Sequence, residues 1–88
     1  MNPDPPKIEF PCAYPIKVIG EGHDELQTQV MDVILRHCTD FDRQKISTRD
    51  SSRGRWRSIT VMINATGQAQ IEAIFNDLKT CSRVRMVL

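Results

Sequence analysis

A chain of 88 residues with 40% hydrophobic and 26% charged side chains reads as one small globular domain, of a size that hides only roughly 60 to 65% of the surface its unfolded form exposes. The net charge of +1 excludes a global field that would gather nucleic acid, an anionic membrane or a polyanion, so any charge argument is local. No apolar run approaches the roughly 20 residues that span a bilayer, and Met1-Asn2-Pro3-Asp4-Pro5-Pro6 lacks the basic start and apolar stretch of a secretion signal; a cytoplasmic location is the expectation.

Residues 1–11 hold four of the five prolines and read as a flexible lead-in to a domain over 12–88, with Ile8-Glu9-Phe10-Pro11 lying against that domain as a short extended segment. A first strand follows from about Ala13 to Ile19, with Tyr14, Ile16 and Val18 toward the core and Pro15 marking a bulge or an unpaired amide. Gly20-Glu21-Gly22 ends it. Asp24 with Gln27 three residues later fits a capping box, opening a helix to about Cys38 whose buried stripe is Leu26, Val30, Val33, Ile34 and His37. The loop Thr39-Asp40-Phe41-Asp42 places Phe41 as a lid on the edge of the core.

Gln44 to Asp50 is the weakest element, an edge strand assigned by its position in a hairpin and protected from stray pairing by its polar, basic character. After a tight turn at Arg53-Gly54 comes the best strand of the chain, Arg55 to Ala65. Ile59, Val61 and Ile63 point one way and Ser58, Thr60 and Met62 the other. Asn64 to Gly67 offers cap residues for a second helix to Lys79 with the stripe Ile71, Ile74, Phe75 and Leu78. Val84, Met86 and Leu88 then alternate with Arg83, Arg85 and Val87 in a last strand, so that Arg85 and Val87 join Lys17, Ile19, Ser58, Thr60 and Met62 on a sheet face without helices. Strand, helix, strand, strand, helix, strand with right-handed crossovers defines an α+β split βαβ arrangement: an antiparallel four-stranded sheet, order 4-1-3-2, with both helices on one face.

Such a fold carries many activities, so function is approached by elimination. Cys12, Cys38 and Cys81 are three widely spaced thiols, neither a disulfide framework nor a metal or redox pair, and are expected to be buried or half-buried. A metal-transfer domain of this shape would carry two close cysteines in its first loop. RNA recognition would place paired aromatics on the central strands, where this chain has Lys17, Ile19, Ser58 and Thr60. A phosphatase loop would need an arginine where Glu21 stands. No acid/base pair, activated nucleophile or metal cluster emerges, so neither catalytic residues nor a cofactor nor a metal is expected.

Two local features stand out. Arg49, Arg53, Arg55 and Arg57 surround Trp56 in the hairpin, residue types that dominate binding hot spots and grip carboxylates or phosphates. A solvated hairpin whose arginines pair with Asp40, Asp42 or Asp50 is the plainer explanation. Gly20, Gly22, His23 and Asp24 form the second feature, a loop where backbone could approach an anion at a helix N-terminus, although a simple strand-to-helix turn explains it equally well. His37 reads as a packed or rim histidine. Some apolar side chains of the uncovered sheet face are compatible with a homodimer or another partner contact.

The stretches Ser51-Ser52-Arg53-Gly54-Arg55-Trp56-Arg57-Ser58-Ile59-Thr60, Asn64-Ala65-Thr66, Val84-Arg85-Met86-Val87-Leu88 and Phe10-Pro11 through Gly20 together resemble the YbeD-like family of small uncharacterised bacterial proteins. Trp56 stands where members often carry tyrosine. The resemblance implies a ferredoxin-like fold similar to ACT-type regulatory domains, and supplies no catalytic residues. The expectation is therefore a non-catalytic ligand-binding or regulatory module that contacts a small anionic metabolite or a protein partner through Gly20 to Asp24 or through Arg53, Arg55, Trp56, Arg57 and Ser58. On that reading, Arg55→Ala plus Arg57→Ala weakens capture and spares the fold. RNA binding across the open sheet is the alternative.

Overall fold

The computed structural model describes residues 9–39 and 41–88. Most of the lead-in assigned to residues 1–11, and any pairing of the hairpin arginines with Asp40, lie outside the described residues. From Cys12 onward the elements are β1 (Cys12–Glu21), α1 (Asp24–His37), a 3-10 turn (Arg43–Lys45), β2 (Ile46–Asp50), β3 (Trp56–Ala65), α2 (Gln68–Lys79) and β4 (Val84–Val87). All strand pairs are antiparallel, in the order β2-β3-β1-β4, which is 4-1-3-2 read from the other edge. This is a ferredoxin-like fold.

The longest register joins β1 to β3 without interruption from Cys12↔Ala65 to Glu21↔Trp56. Period-2 alternation puts Ile16 and Val18 on the same face as Ile59, Val61 and Ile63, and that face meets the stripes Leu26, Val30, Val33, Ile34 of α1 and Ile71, Ile74, Leu78 of α2 in one core cluster. Burial of each such side chain contributes on the order of 1.5 to 3 kcal/mol, so both helices are held mainly by these contacts. Tyr14, Phe41 and Phe75 are half-buried against the same cluster, as is Phe10 at the entry to β1. Cys38 is buried and Cys12 and Cys81 half-buried, all as free thiols.

Three local readings of the sequence change. The cap of α1 is His23, not Asp24: the backbone there is extended, and its Nδ1 accepts from the Glu25 amide at 3.0 Å, leaving Asp24 as the first helical residue. Arg43–Lys45 forms a 3-10 turn instead of the start of the edge strand, because the Asp42 carboxylate accepts from the Gln44 amide and winds the chain there. On β4, Val84 faces the core, but a bulge places Met86 opposite Ile19 and Val87 opposite Val18. One extra residue, Arg85, reverses the alternation, so Met86 and Leu88 are exposed while Val87 packs on the core.

Helix α2 starts at Gly67 with no side-chain cap, although the Gln70 side chain reaches back to the Thr66 amide at 2.8 Å. A Cβ at Gly67 would meet open space. Gly67→Asp is therefore expected to add a few tenths of a kcal/mol by supplying an acceptor to the first turn, a rise of about 1 to 3 °C in a thermal melt; a fall would show that the extended backbone at Gly67 cannot carry a capping side chain.

Candidate functional site

The β1–α1 loop and the β2–β3 hairpin, separate in sequence, meet at one end of the sheet. The Gly22 amide donates to the Arg55 carbonyl at 2.9 Å, and the Glu21 amide to the Arg83 carbonyl at 3.0 Å. Gly20, near the end of β1, and Gly22, in the loop, both sit where chain crosses chain. A Cβ on Gly22 would overlap the Gly54 carbonyl, and one on Gly20 would overlap the Arg83 carbonyl and stand 2.7 Å from Leu26 Cδ1. The glycines thus let the loop lie against the hairpin and against the β4 entry. At the hairpin tip Gly54 has φ of 68°, and its amide donates to the Ser51 carbonyl at 2.9 Å. The Ser51 hydroxyl accepts from the Trp56 amide at 3.2 Å.

The four hairpin arginines divide by face. Arg57 continues the alternation of Ile59 and so turns toward the helices, where Nε donates to Asp50 at 2.7 Å and Nη1 to Asp24 at 3.2 Å. Only 15% of its side chain is exposed. Arg57 thereby fastens the edge strand and the start of α1 to β3, and these two carboxylates hold its guanidinium pKa above the ordinary value, Asp50 most strongly. Removing it together with Arg55 would loosen the fold as well as the surface, so that pair of substitutions does not separate binding from stability. Asp24 is likewise occupied by Arg57, and His23 by its capping bond.

A second ion-pair group ties β4 to the loop. Arg83 meets Glu21 and Glu25, each at 2.8 Å, and Arg85 meets Glu21 at 2.8 Å. The Arg83 hydrogen bond foremost, with Arg85 beside it, holds the Glu21 carboxyl below its usual range. The acids nearest the hairpin are therefore already paired. Lys17, Arg49, Arg53 and Arg55 have no ion-pair partner among the described residues, and all four are exposed.

Lys17 and Arg49 lie on the open sheet face with Ile19 and Ser58, because Lys17 pairs with Thr60, and Ile19 and Arg49 both pair with Ser58. Trp56, opposite Glu21 and 44% exposed, walls off the end of this row. Together with the paired Asp50 and Arg57 they line a shallow concavity of about 280 Å³, with Lys17 and Arg49 as its unpaired cations, an apolar floor at Ile19 and hydroxyls at Ser51 and Ser58. A neighbouring furrow of about 370 Å³ continues past Ser47, Thr48 and Thr60 along β2. Sequence reasoning grouped Arg49 with Trp56 in the hairpin and Lys17 with Ser58 on the uncovered sheet face, but kept the two groups apart; the strand register brings them together.

At the far end of the domain, His37 Nε2 and Asp77 Oδ2 are 2.6 Å apart and Arg36 is 3.4 Å from the same oxygen, joining α1 to α2. His37 is a rim residue of the helix pair, as its stripe position suggested. The His37 contact first, then the Arg36 charge, holds the Asp77 carboxyl below its usual range. A depressed carboxyl stabilises the fold fully above the unfolded value, about pH 4, and that contribution disappears as pH falls through the lowered value. Asp77→Asn is accordingly expected to flatten the acid limb of stability below about pH 4, read from urea midpoints across pH; an unchanged limb would assign acid sensitivity to Glu21. No cluster of three or more metal-ligating side chains occurs among the described residues. No helix there is long and apolar enough to cross a membrane.

Fold and surface together define a small ferredoxin-like domain with its helices on one sheet face and a cationic hairpin end on the other. The chain belongs to the YbeD-like family, described as a protein of unknown function (DUF493), whose profile matches residues 5–88. A UPF0250 protein of Pseudomonas paraeruginosa is 51% identical over 85 residues, covering 96% of this chain and 91% of the relative. One from Neisseria gonorrhoeae is 38% identical over 81 residues, 92% of this chain and 89% of its own. Among solved structures, protein HP0495 from H. pylori matches with a TM-score of 0.74 at 17% identity, over 96% of this chain and 88% of that one. The ACT domain of the GTP pyrophosphokinase of Chlorobium tepidum matches with a TM-score of 0.59 at 19% identity, over 86% and 92%.

Proposed function

We propose that this chain is a non-catalytic binding module that recognises an anionic protein partner through the hairpin end of its open sheet face. One observation carries the reading: Lys17, Arg49, Arg53 and Arg55 stand without acid partners among the described residues around an exposed Trp56, while Glu21, Asp24 and Asp50 are bound to Arg57, Arg83 and Arg85. A chain with net charge of only +1 thus concentrates unpaired cations at one end. The concavity there is shallow and open, which favours a macromolecular surface over a small metabolite, since small ligands are held in enclosing clefts of about 300 to 1,000 Å³. Arginine and tryptophan at the centre of a contact also supply most of the energy of protein interfaces. The ACT-like fold is compatible with a regulatory role of this kind.

The test is an amide chemical-shift titration of the labelled protein with a short polyglutamate peptide, run beside free amino acids, a nucleotide and a short RNA. Shifts at Lys17, Arg49, Trp56 and Ser58 with the peptide, fading as salt rises, are the expected result. Arg49→Ala plus Arg55→Ala is expected to weaken that binding about five- to tenfold, on the scale of two exposed charge contacts, at an unchanged urea midpoint. Shifts with RNA alone, spread over Ile19, Ser58 and Thr60, would replace this reading with base stacking on the sheet. Silence with every probe would overturn it.

A further inference from the structure

We infer that β2 is a recognition edge: an extended acidic-apolar segment of a partner protein adds to the sheet beside it as a fifth strand. The inference rests on the binding role just proposed and names how the partner is held. Among the described residues β2 pairs with β3 alone, in an unbroken register from Ile46↔Val61 to Asp50↔Arg57. The Ser51 amide donates to the Trp56 carbonyl, so in the alternating ladder Ser47 and Arg49 direct their backbone groups at β3 while Ile46, Thr48 and Asp50 direct theirs outward. Outside the β2–β3 ladder, no backbone hydrogen bond among the described residues reaches the Thr48 or Asp50 amide. The opposite edge differs. β4 is short, bulged at Arg85, and its Arg85 guanidinium folds back on the Ser82 carbonyl at 3.0 Å, which blunts it against pairing.

Strand addition needs room on both faces of the edge, because successive side chains of the incoming segment point to opposite sides. Both flanks of β2 provide it. On the open face the furrow of about 370 Å³ carries Lys17 and Arg49, with Ser47 and Thr60 between them. On the helix side a groove of about 450 Å³ runs along α1, lined by Thr28, Met31, Leu35 and Arg43 together with the acids Asp24 and Asp32, which turn guest carboxylates away from this side. It follows β2 because Arg57 joins Asp50 at one end of β2 to Asp24 at the start of α1, and Arg43 stands just before the other end of β2. Leu35 is 43% exposed there, a large apolar side chain on the outer face of a helix. Charge selects the orientation of the guest: carboxylates on the side of Lys17 and Arg49, aliphatic side chains on the side of Met31 and Leu35. The basic edge repels indiscriminate strands and admits an acidic one.

The probe is a seven-residue peptide alternating glutamate with valine or leucine, compared with the same peptide N-methylated on the amides of one edge. Amide shifts along Ile46 to Asp50 and at Met31 and Leu35, slowed exchange of the Thr48 and Asp50 amides, and binding about tenfold weaker for the methylated peptide, the scale of one or two lost backbone hydrogen bonds, are expected. Equal binding of both peptides, or shifts confined to Lys17, Arg49, Trp56 and Ser58 with unprotected Thr48 and Asp50 amides, would overturn strand addition while leaving the anionic contact of the preceding section intact. Binding of polyglutamate but of neither alternating peptide would do the same. If Leu35→Asp abolishes binding of the alternating peptide but leaves polyglutamate binding unchanged, the helix-side groove is confirmed as part of the site; equal binding by Leu35→Asp and the parent removes it.

Discussion

Leu26→Ala is expected to cost about 2 to 5 kcal/mol in urea denaturation at 25 °C. Leu26 is fully buried in the first turn of α1, and its Cδ1 lies against Gly20, the strand residue that leaves no Cβ in its way. Truncation would open a cavity where the helix start, β1 and the Arg83 turn converge, and the surrounding backbone crossing is already too tight to collapse into it. A small domain holds only about 5 to 15 kcal/mol in all, so this one change removes a large part of the stability. The midpoint should fall with little change in slope, while Leu26→Met, which nearly conserves volume, should cost under about 1.5 kcal/mol. A loss below about 1 kcal/mol for the alanine variant would mean that the first turn of α1 is not fixed by this contact and that the loop it ends can move independently.

The fold was legible because the strongest signals agree. Ile59, Val61 and Ile63 at period 2, and the stripes Leu26-Val30-Val33-Ile34 and Ile71-Ile74-Leu78 at period 3.6, all bury on one side of the sheet. Alternation failed at β4, where the bulge at Arg85 exchanges Met86 for Val87; a bulge is decided by the partner strand and by the Arg85–Glu21 contact, neither of which sequence spacing encodes. The His23 cap was missed for a different reason. Asp24 is the better capping residue by propensity, but its carboxylate is taken by Arg57 across the sheet, a contact 33 positions away in sequence.

For the site, residue type was informative and orientation was not. The hairpin arginines were recognised as a group, yet the same alternation that put Ile59 in the core already turns Arg57 toward the helices, away from Trp56. Following that parity would have separated one structural arginine from the exposed ones. Gly20 and Gly22 read in sequence either as an approach for an anion or as a plain strand-to-helix turn, and the structure sets the Arg83, Leu26 and Gly54 atoms where their side chains would stand. A glycine required by a distant crossing looks, in sequence, identical to one required by a bound anion.

Gly22→Ala tests whether loop and hairpin form one unit. Its Cβ would overlap the Gly54 carbonyl oxygen and stand 2.9 Å from the Gly54 carbonyl carbon and 3.2 Å from that of Arg55. These are backbone atoms that cannot swing aside as a side chain would, so the crossing must separate and the bond from the Gly22 amide to the Arg55 carbonyl must lengthen. A loss of about 1 to 3 kcal/mol is expected. Gly54→Asn is the matched control: its φ of 68° is one asparagine tolerates, and a Cβ there meets nothing within 4 Å, so the loss should stay under about 1 kcal/mol. Trp56 is the chain's single tryptophan and sits two residues past Gly54, so its fluorescence reports the hairpin directly. Emission of the folded protein should shift in Gly22→Ala and stay in place in Gly54→Asn. If Gly22→Ala folds with parental stability and emission, the hairpin is not held by the loop, and the exposed arginines ride on a tip that moves freely of the sheet. A lost midpoint with a shifted emission means instead that Arg55 and Trp56 are preset by the crossing, which reduces the ordering entropy a partner must overcome on binding.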